Sequence, residues 1–217
     1  MSTKSYSKRR TPSPALARRE GSFGRPRDER VDREVVSTVL DVLRNGGYSA
    51  VTIDRIARKV KRARSTIYRR WPSKRHLVAY AVVSEMGDNP AADTGVLRKD
   101  LEAVVGTLLQ AFSGPLGLAL PGLVADMAQD AALAEMIRSE VLATRRKSMR
   151  EALSRAEARG EIGDPLDVEL VLDMLTSPFY YRTLFGHAPI SRRTTRDVVD
   201  YLLRMLPGAE SEGVGVS

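Results

Sequence analysis

From Asp28 onward the apolar residues of this chain recur at intervals of three and four, and over no strand-length stretch do they alternate with polar ones. That spacing matches the 3.6 residues of an α-helical turn, so the chain is committed to an all-α fold. Val31, Val35, Val39 and Val42 form one stripe, widened by Leu40 and Leu43. Gly46-Gly47 stops this first helix, because glycine takes the left-handed cap conformation cheaply. Thr52 has the side chain of an N-cap and opens a short helix to about Val60, with Ile53, Ile56 and Ala57 facing inward. Ser65 to Arg70 form a further short helix. Pro72-Ser73 breaks the chain, and Ser73 caps a longer helix from Lys74 to about Met86. Asp88-Asn89-Pro90 is a loop. Helices are then expected near 94–112, 119–129, 131–159, 167–185 and 192–206. Gly160 ends the central one, and Asp164 or Asp167 caps the next.

Charge divides the 217 residues unevenly. Met1 to Arg75 holds 21 Lys and Arg against 7 Asp and Glu, whereas His76 to Ser217 holds 14 against 20. One end is built to sit near a polyanion and the other is not, the pattern of a nucleic-acid module joined to a different one. Residues 1–26 are rich in Ser, Arg, Pro and Gly, show no apolar period and are expected to be a disordered basic arm. The absence of cysteine excludes disulfides, thiolate metal sites and a cysteine nucleophile, and suits a reducing cytoplasm. No run of about 18 apolar residues exists, so no membrane span is expected, and the basic N-terminus lacks the apolar core of a signal peptide.

Two short helices joined by a tight connection between Thr52 and Arg70 have the outline of a helix-turn-helix, whose second helix lies in the major groove. The second helix is crowded with suitable side chains: Arg64, Ser65, Thr66, Tyr68, Arg69 and Arg70. Arginine binds guanine bidentately, and serine or threonine contacts bases or phosphates.

The runs Val51-Thr52-Ile53-Asp54-Arg55-Ile56-Ala57 and Ser65-Thr66-Ile67-Tyr68-Arg69-Arg70-Trp71-Pro72-Ser73-Lys74-Arg75-His76-Leu77 resemble the DNA-binding domain of TetR/AcrR-type transcriptional regulators. Gly46-Gly47-Tyr48 sits at that family's first turn. The resemblance covers about 50 residues strongly. It implies that Arg64, Ser65, Thr66, Tyr68 and Arg69 face the groove, that Thr52 and Lys74 bind phosphates at helix starts, and that Arg62 faces solvent or a phosphate; Arg70, on the same basic helix, is a further DNA-binding candidate. Ile67 and Trp71 read as packing residues. The turn departs from the family's small-Gly-apolar-Ser pattern: here it is Val60-Lys61-Arg62-Ala63. Lysine in place of glycine disfavours a left-handed conformation, and alanine in place of the serine cap removes about 1 kcal/mol. Either the turn is looser or the two added cations contact phosphates. Arg25 and Arg27, just before the first helix, read as an arm for an adjacent minor groove or as part of a solubilising tail.

Residues from about Asp88 resemble the family's ligand-binding and dimerisation domain, which implies a pocket for an unknown small-molecule effector. Phe112, Leu116, Leu120, Leu123, Met127, Met149, Phe179 and Tyr180 are its candidate lining; the same residues also read as ordinary core. Few polar side chains stand among them, which suggests an apolar effector. The last two helices carry broad apolar faces, and Val171, Leu175, Val198, Leu202 and Met205 are expected to pair with a twin in a twofold homodimer. Such a dimer places two reading helices on a palindromic operator of double-stranded DNA.

The resulting organisation is a disordered arm (1–26), a three-helix helix-turn-helix DNA-binding domain (27–80), a helical effector-binding and dimerisation domain (81–207) and a frayed tail (208–217). The expected function is sequence-specific transcriptional regulation, as a repressor released by a small apolar ligand. The alternative is a sequence-nonspecific architectural DNA binder, which accounts for the charge but not for the acidic helical half. Catalysis is not expected. Only His76 and His187 are present, and there is no Gly-rich phosphate loop, zinc motif or nucleophile elbow. Asp126, Asp130 and Glu135 read as a solvated helix face. No cofactor, metal or membrane partner is expected.

Overall fold

The apolar period is realised as helices throughout the residues that the computed structural model describes, 29–86, 92–163 and 167–206. Arg25 and Arg27, with the expected arm and tail, lie outside them. In chain order the helices are α1 (Glu29–Gly46), α2 (Ile53–Lys59), α3 (Arg64–Arg70), α4 (Lys74–Met86), α5 (Leu97–Phe112), α6 (Pro115–Met127), α7 (Ala131–Met136), α8 (Ala143–Ala158), α9 (Val168–Phe185) and α10 (Arg192–Met205). A 3-10 turn, Tyr48–Ala50, follows α1, and a π-helical stretch, Ile137–Leu142, joins α7 to α8. No strand occurs among the described residues. Packing divides them into two units, 29–86 with 114–143 and 92–113 with 144–206.

In the first unit, α1 has Glu29 and Asp32 in its first turn and Arg44 in its last, the order a helix dipole favours. Its stripe of Val31, Val35, Val39, Leu40, Val42 and Leu43 is buried, and α1 packs against α4 and α6. Ile56, Ile67, Trp71 and Leu77 are at most 1% exposed, and burial of each such side chain contributes roughly 1.5–3 kcal/mol. α6 begins at Pro115, four residues before the expected start. Proline at the first helical position has no N–H to satisfy and a φ already suited to the helix. The single helix expected over 131–159 is α7, the π stretch and α8. A π turn absorbs an extra residue without ending the helix, so the apolar spacing does not reveal it.

In the second unit, α5 packs on α9 and α10. Leu101, Val105 and Leu108 of α5 and Leu172, Leu175 and Phe179 of α9 are buried. The Phe112 ring lies 5.9 Å from Phe179 and 4.8 Å, edge-on, from Tyr180. Arg146 and Arg150 of α8 pair with Glu169, and Arg146 also pairs with Asp173. α8 ends in a Schellman motif: the Gly160 N–H donates to the Glu157 carbonyl (2.9 Å) and the Glu161 N–H to the Ala156 carbonyl (3.0 Å), with Gly160 at φ 75°. Asp167 caps α9, accepting from the Leu170 N–H at 3.0 Å, and Asp164 lies outside the described residues.

The expected dimer face is redrawn by this packing. Val171, Leu175 and Leu202 are 6%, 0% and 4% exposed within their own unit, and Val198 is half-buried. Met205 is 60% exposed. Each helix carries an apolar arc wider than one neighbour covers, and the core takes the half holding Val171, Leu175 and Leu202. The half left outward carries Leu170, Tyr181, Leu184 and Phe185 on α9 and Tyr201 and Met205 on α10.

Candidate nucleic-acid interface

Thr52 sets the start of α2 in extended conformation, its hydroxyl oxygen accepting from the Arg55 N–H at 3.1 Å. Ile53, Ile56 and Ala57 then bury the inner side of α2, and Arg55, Arg58 and Lys59 are left exposed. α2 ends in a second Schellman motif: the Lys61 N–H donates to the Arg58 carbonyl (3.2 Å) and the Arg62 N–H to the Ala57 carbonyl (2.9 Å). Lys61 sits at φ 51°, the sole non-glycine residue with positive φ among those described. The turn is therefore not loosened by losing its glycine. It keeps the left-handed conformation, at a cost on the order of 1 kcal/mol for a side chain there. Ala63 precedes α3 with no side-chain cap.

α3 is anchored by Ile67 and by Trp71 just beyond its end, 0% and 1% exposed. With that side inward, helical geometry turns positions 64, 65, 68 and 69 outward together. Arg64, Ser65, Tyr68 and Arg69 are indeed exposed, and Thr66 is half-buried. The Arg64 Nε lies 2.7 Å from the Asp54 carboxylate, and the Arg62 guanidinium lies 3.9 Å from Glu34. Arg70 does not join the outer face. One residue on from Arg69, it turns about 100° inward and pairs with Asp32 of α1, the two side chains 14% and 18% exposed. Its role is to hold α3 to α1.

Lys74 opens α4 but is half-buried, its Nζ 4.1 Å from the centre of the Tyr48 ring. Burial lowers its pKa from the ordinary lysine value, opposed by Asp126. The Tyr48 hydroxyl donates to the Asp126 carboxylate of α6. Burial, that hydrogen bond and the Asp126 charge all push the phenol's pKa upward. On its α6 side the ring fills the space beside Gly122, where a Cβ would collide with it. One turn further, Asp130 caps α7 by accepting from the Leu133 N–H (3.0 Å) and lies 3.1 Å from the Arg75 guanidinium. The Leu133 N–H bond is the main reason its carboxyl is held below the usual range. His76 Nδ1 lies 2.8 Å from the Ser73 hydroxyl. Asp126 and Asp130 are thus not a solvated face but one side of a polar seam; Glu135 stays at the surface with Arg138. The sequence signal for the seam was the aromatic residue directly after Gly46-Gly47.

Of the eight apolar residues suggested as pocket lining, Phe112, Met149, Phe179 and Tyr180 belong to the second unit and Leu116, Leu120, Leu123 and Met127 to α6 of the first. Among the described residues no cluster of His, Asp or Glu is placed to hold a metal ion, and no single helix is long and apolar enough to cross a membrane.

Comparison with known proteins gives the arrangement its family. Residues 37–81 match the bacterial regulatory proteins of the tetR family, and residues 91–202 match the tetracyclin repressor-like C-terminal domain. The chain is 30% identical over 177 residues to the uncharacterized HTH-type transcriptional regulator YdeS of Bacillus subtilis (strain 168), covering 81% of this chain and 89% of that protein. It is 30% identical over 187 residues to the DNA-binding transcriptional repressor TetR of Mycobacteroides abscessus, covering 84% and 98%. The crystal structure of the TetR family transcription regulator SCO0332 superposes with a TM-score of 0.63 at 30% identity, covering 80% of this chain and 97% of that one. Such relatives are transcriptional regulators and not enzymes, and this chain belongs to the TetR family of DNA-binding transcriptional regulators.

Proposed function

We propose that this protein is a repressor, acting in the cytoplasm, that holds a palindromic operator as a homodimer and releases it when a small apolar ligand binds. The observation that carries the reading is the division of α3. Ile67 is wholly buried, while Arg64, Ser65, Tyr68 and Arg69 share the outer face. Arginines on such a face suit guanine edges in the major groove. Thr52, Arg62 and Lys74 flank it as phosphate contacts that fix the register. The outward residues Leu170, Tyr181, Phe185, Tyr201 and Met205, each 55–69% exposed, support a twofold dimer in which a second copy covers them. The relative in Mycobacteroides abscessus described as a repressor supports the direction of regulation. The ring cluster of Phe112, Phe179 and Tyr180, with Met149 in the same unit, supports an apolar effector.

The test is binding to a DNA fragment from the gene's own upstream region. Binding that survives excess random duplex at moderate salt is expected; equal competition by random DNA would leave the architectural reading in its place. Sizing at micromolar concentration should return a dimer, and a monomer there would remove the twofold operator.

A further inference from the structure

The turn between α2 and α3 opens onto a cleft of about 570 Å³ lined by Asp54, Ala57, Arg58, Lys61, Arg62, Ala63 and Arg64. Four of these residues are cations and one is an anion. The anion is already engaged, since Asp54 pairs with Arg64 at 2.7 Å. Arg62 reaches a carboxylate only at 3.9 Å, on exposed Glu34. Among the described residues no carboxylate pairs with Arg58 or Lys61, and both are exposed. Like charges held around one cleft repel each other unless an anion enters it.

The backbone makes the placement of Lys61 specific. Its φ of 51° is the conformation that Gly160 supplies in the same two-bond motif at the end of α8. At α2 the chain bears the strain of a side chain instead, and strain of this kind is kept where it serves a function. The cleft is continuous with the reading face, because Arg64 is both one of its walls and part of the outer face of α3. A duplex seated on α3 therefore brings a backbone phosphodiester to it.

We propose that Lys61, with Arg58 and Arg62, is a phosphate clamp that grips one backbone phosphate of each operator half-site beside the Arg64 end of α3. The proposal rests on the reading of α3 as the DNA-docking helix, and it assigns Lys61 and Arg58 a part that the family's glycine turn does not have. The clamp positions the reading helix and contributes equally on any sequence.

The test compares the full-length protein with Lys61→Gly, Lys61→Arg and Arg58→Gln, titrating the upstream fragment and a random duplex over a series of salt concentrations. Lys61→Gly relieves the strain, so its melting temperature should rise while its DNA binding weakens. The slope of log affinity against log salt should become shallower by about 0.9 for each half-site phosphate lost. That change should appear on both duplexes, Arg58→Gln should show a similar one, and Lys61→Arg should keep the wild-type slope. An unchanged slope in Lys61→Gly overturns the clamp, as does a Lys61→Arg protein that loses slope like the glycine variant. Inorganic phosphate exchanged for chloride at constant ionic strength should leave wild-type affinity unchanged. Selective loss of the Lys61-dependent part would make the cleft a free-anion site and overturn the assignment to DNA. If wild type shows no preference for the upstream fragment, the operator reading fails, while the slope difference on random duplex still decides the clamp.

Discussion

Two regions of the first unit hold their cations in opposite ways. On the outer surface of α2 and α3, Arg58, Lys61 and Arg69 are exposed, and none is paired with a carboxylate among the described residues. Behind that surface and along the seam with α6, Arg70 meets Asp32 and Arg75 meets Asp130. The number of cations therefore says little about which of them touch DNA. A cation drawn out of water needs its partner, and removing that partner leaves a charge the interior cannot solvate. An exposed one is cheap to keep, contributes little to stability and remains available to a polyanion.

Breaking the paired side should give the largest effects. Asp32→Ala leaves the mostly buried Arg70 guanidinium without its carboxylate, and the expected loss is about 3 kcal/mol of unfolding free energy. Denaturant unfolding reads this directly, and a loss below about 0.5 kcal/mol, the size of an ordinary surface change, would move Arg70 into the outward group. Gly122→Ala pushes a Cβ into the Tyr48 ring, at a net cost of roughly 2 kcal/mol once ring and helix have shifted. In a Tyr48→Ala background the same substitution should cost almost nothing. Equal costs in the two backgrounds would show that the ring is not what Gly122 makes room for.

The unpaired side should behave in reverse. Arg69→Ala should leave the melting temperature unchanged and weaken operator binding by about 1–3 kcal/mol, the range for a bidentate base contact. Titration of operator and random duplex with one preparation sharpens the point. A loss confined to the operator makes Arg69 a base reader, and an equal loss on both makes it a phosphate contact.

Neighbouring residues show why the sequence revealed part of this and no more. Ile67 and Trp71 stood out as apolar positions in a basic stretch, and Thr52 as a cap before an apolar run, because both signals are local. Arg69 and Arg70 are chemically identical. What separates them is a turn of 100° and a carboxylate 38 positions earlier in the chain. Asp126 looked solvated because its partner, Tyr48, lies 78 positions away. At α9 and α10 the period showed apolar arcs, but a period fixes only how wide an arc is. Which half faces the chain's own core is decided by α5, so Val171, Leu175 and Leu202 went inside and Tyr181, Phe185 and Tyr201 stayed out. Lys61 is the converse case. Local propensity argued against a left-handed lysine, and the two hydrogen bonds closing α2 outweighed it.

The smallest effect is expected from protons on the paired side. Burial holds the His76 imidazole below its ordinary 6.5, with Asp130 opposing the shift and Arg75 adding to it. The folded protein thus takes up this proton less readily than the unfolded chain. Between the depressed folded pKa and 6.5 the unfolded state binds more protons, so stability must fall as the pH drops through that window and stay level above it. Asp130 works in the same direction but lower, since its carboxyl is held below 3.8, chiefly by the Leu133 N–H. A melting curve series from about pH 7 to about pH 5 therefore isolates the histidine from the carboxylates. Wild type should lose a few degrees across the series and His76→Asn should lose less. If the two proteins decline in parallel, His76 is not the group that titrates, and the seam then owes its acid sensitivity to its carboxylates alone.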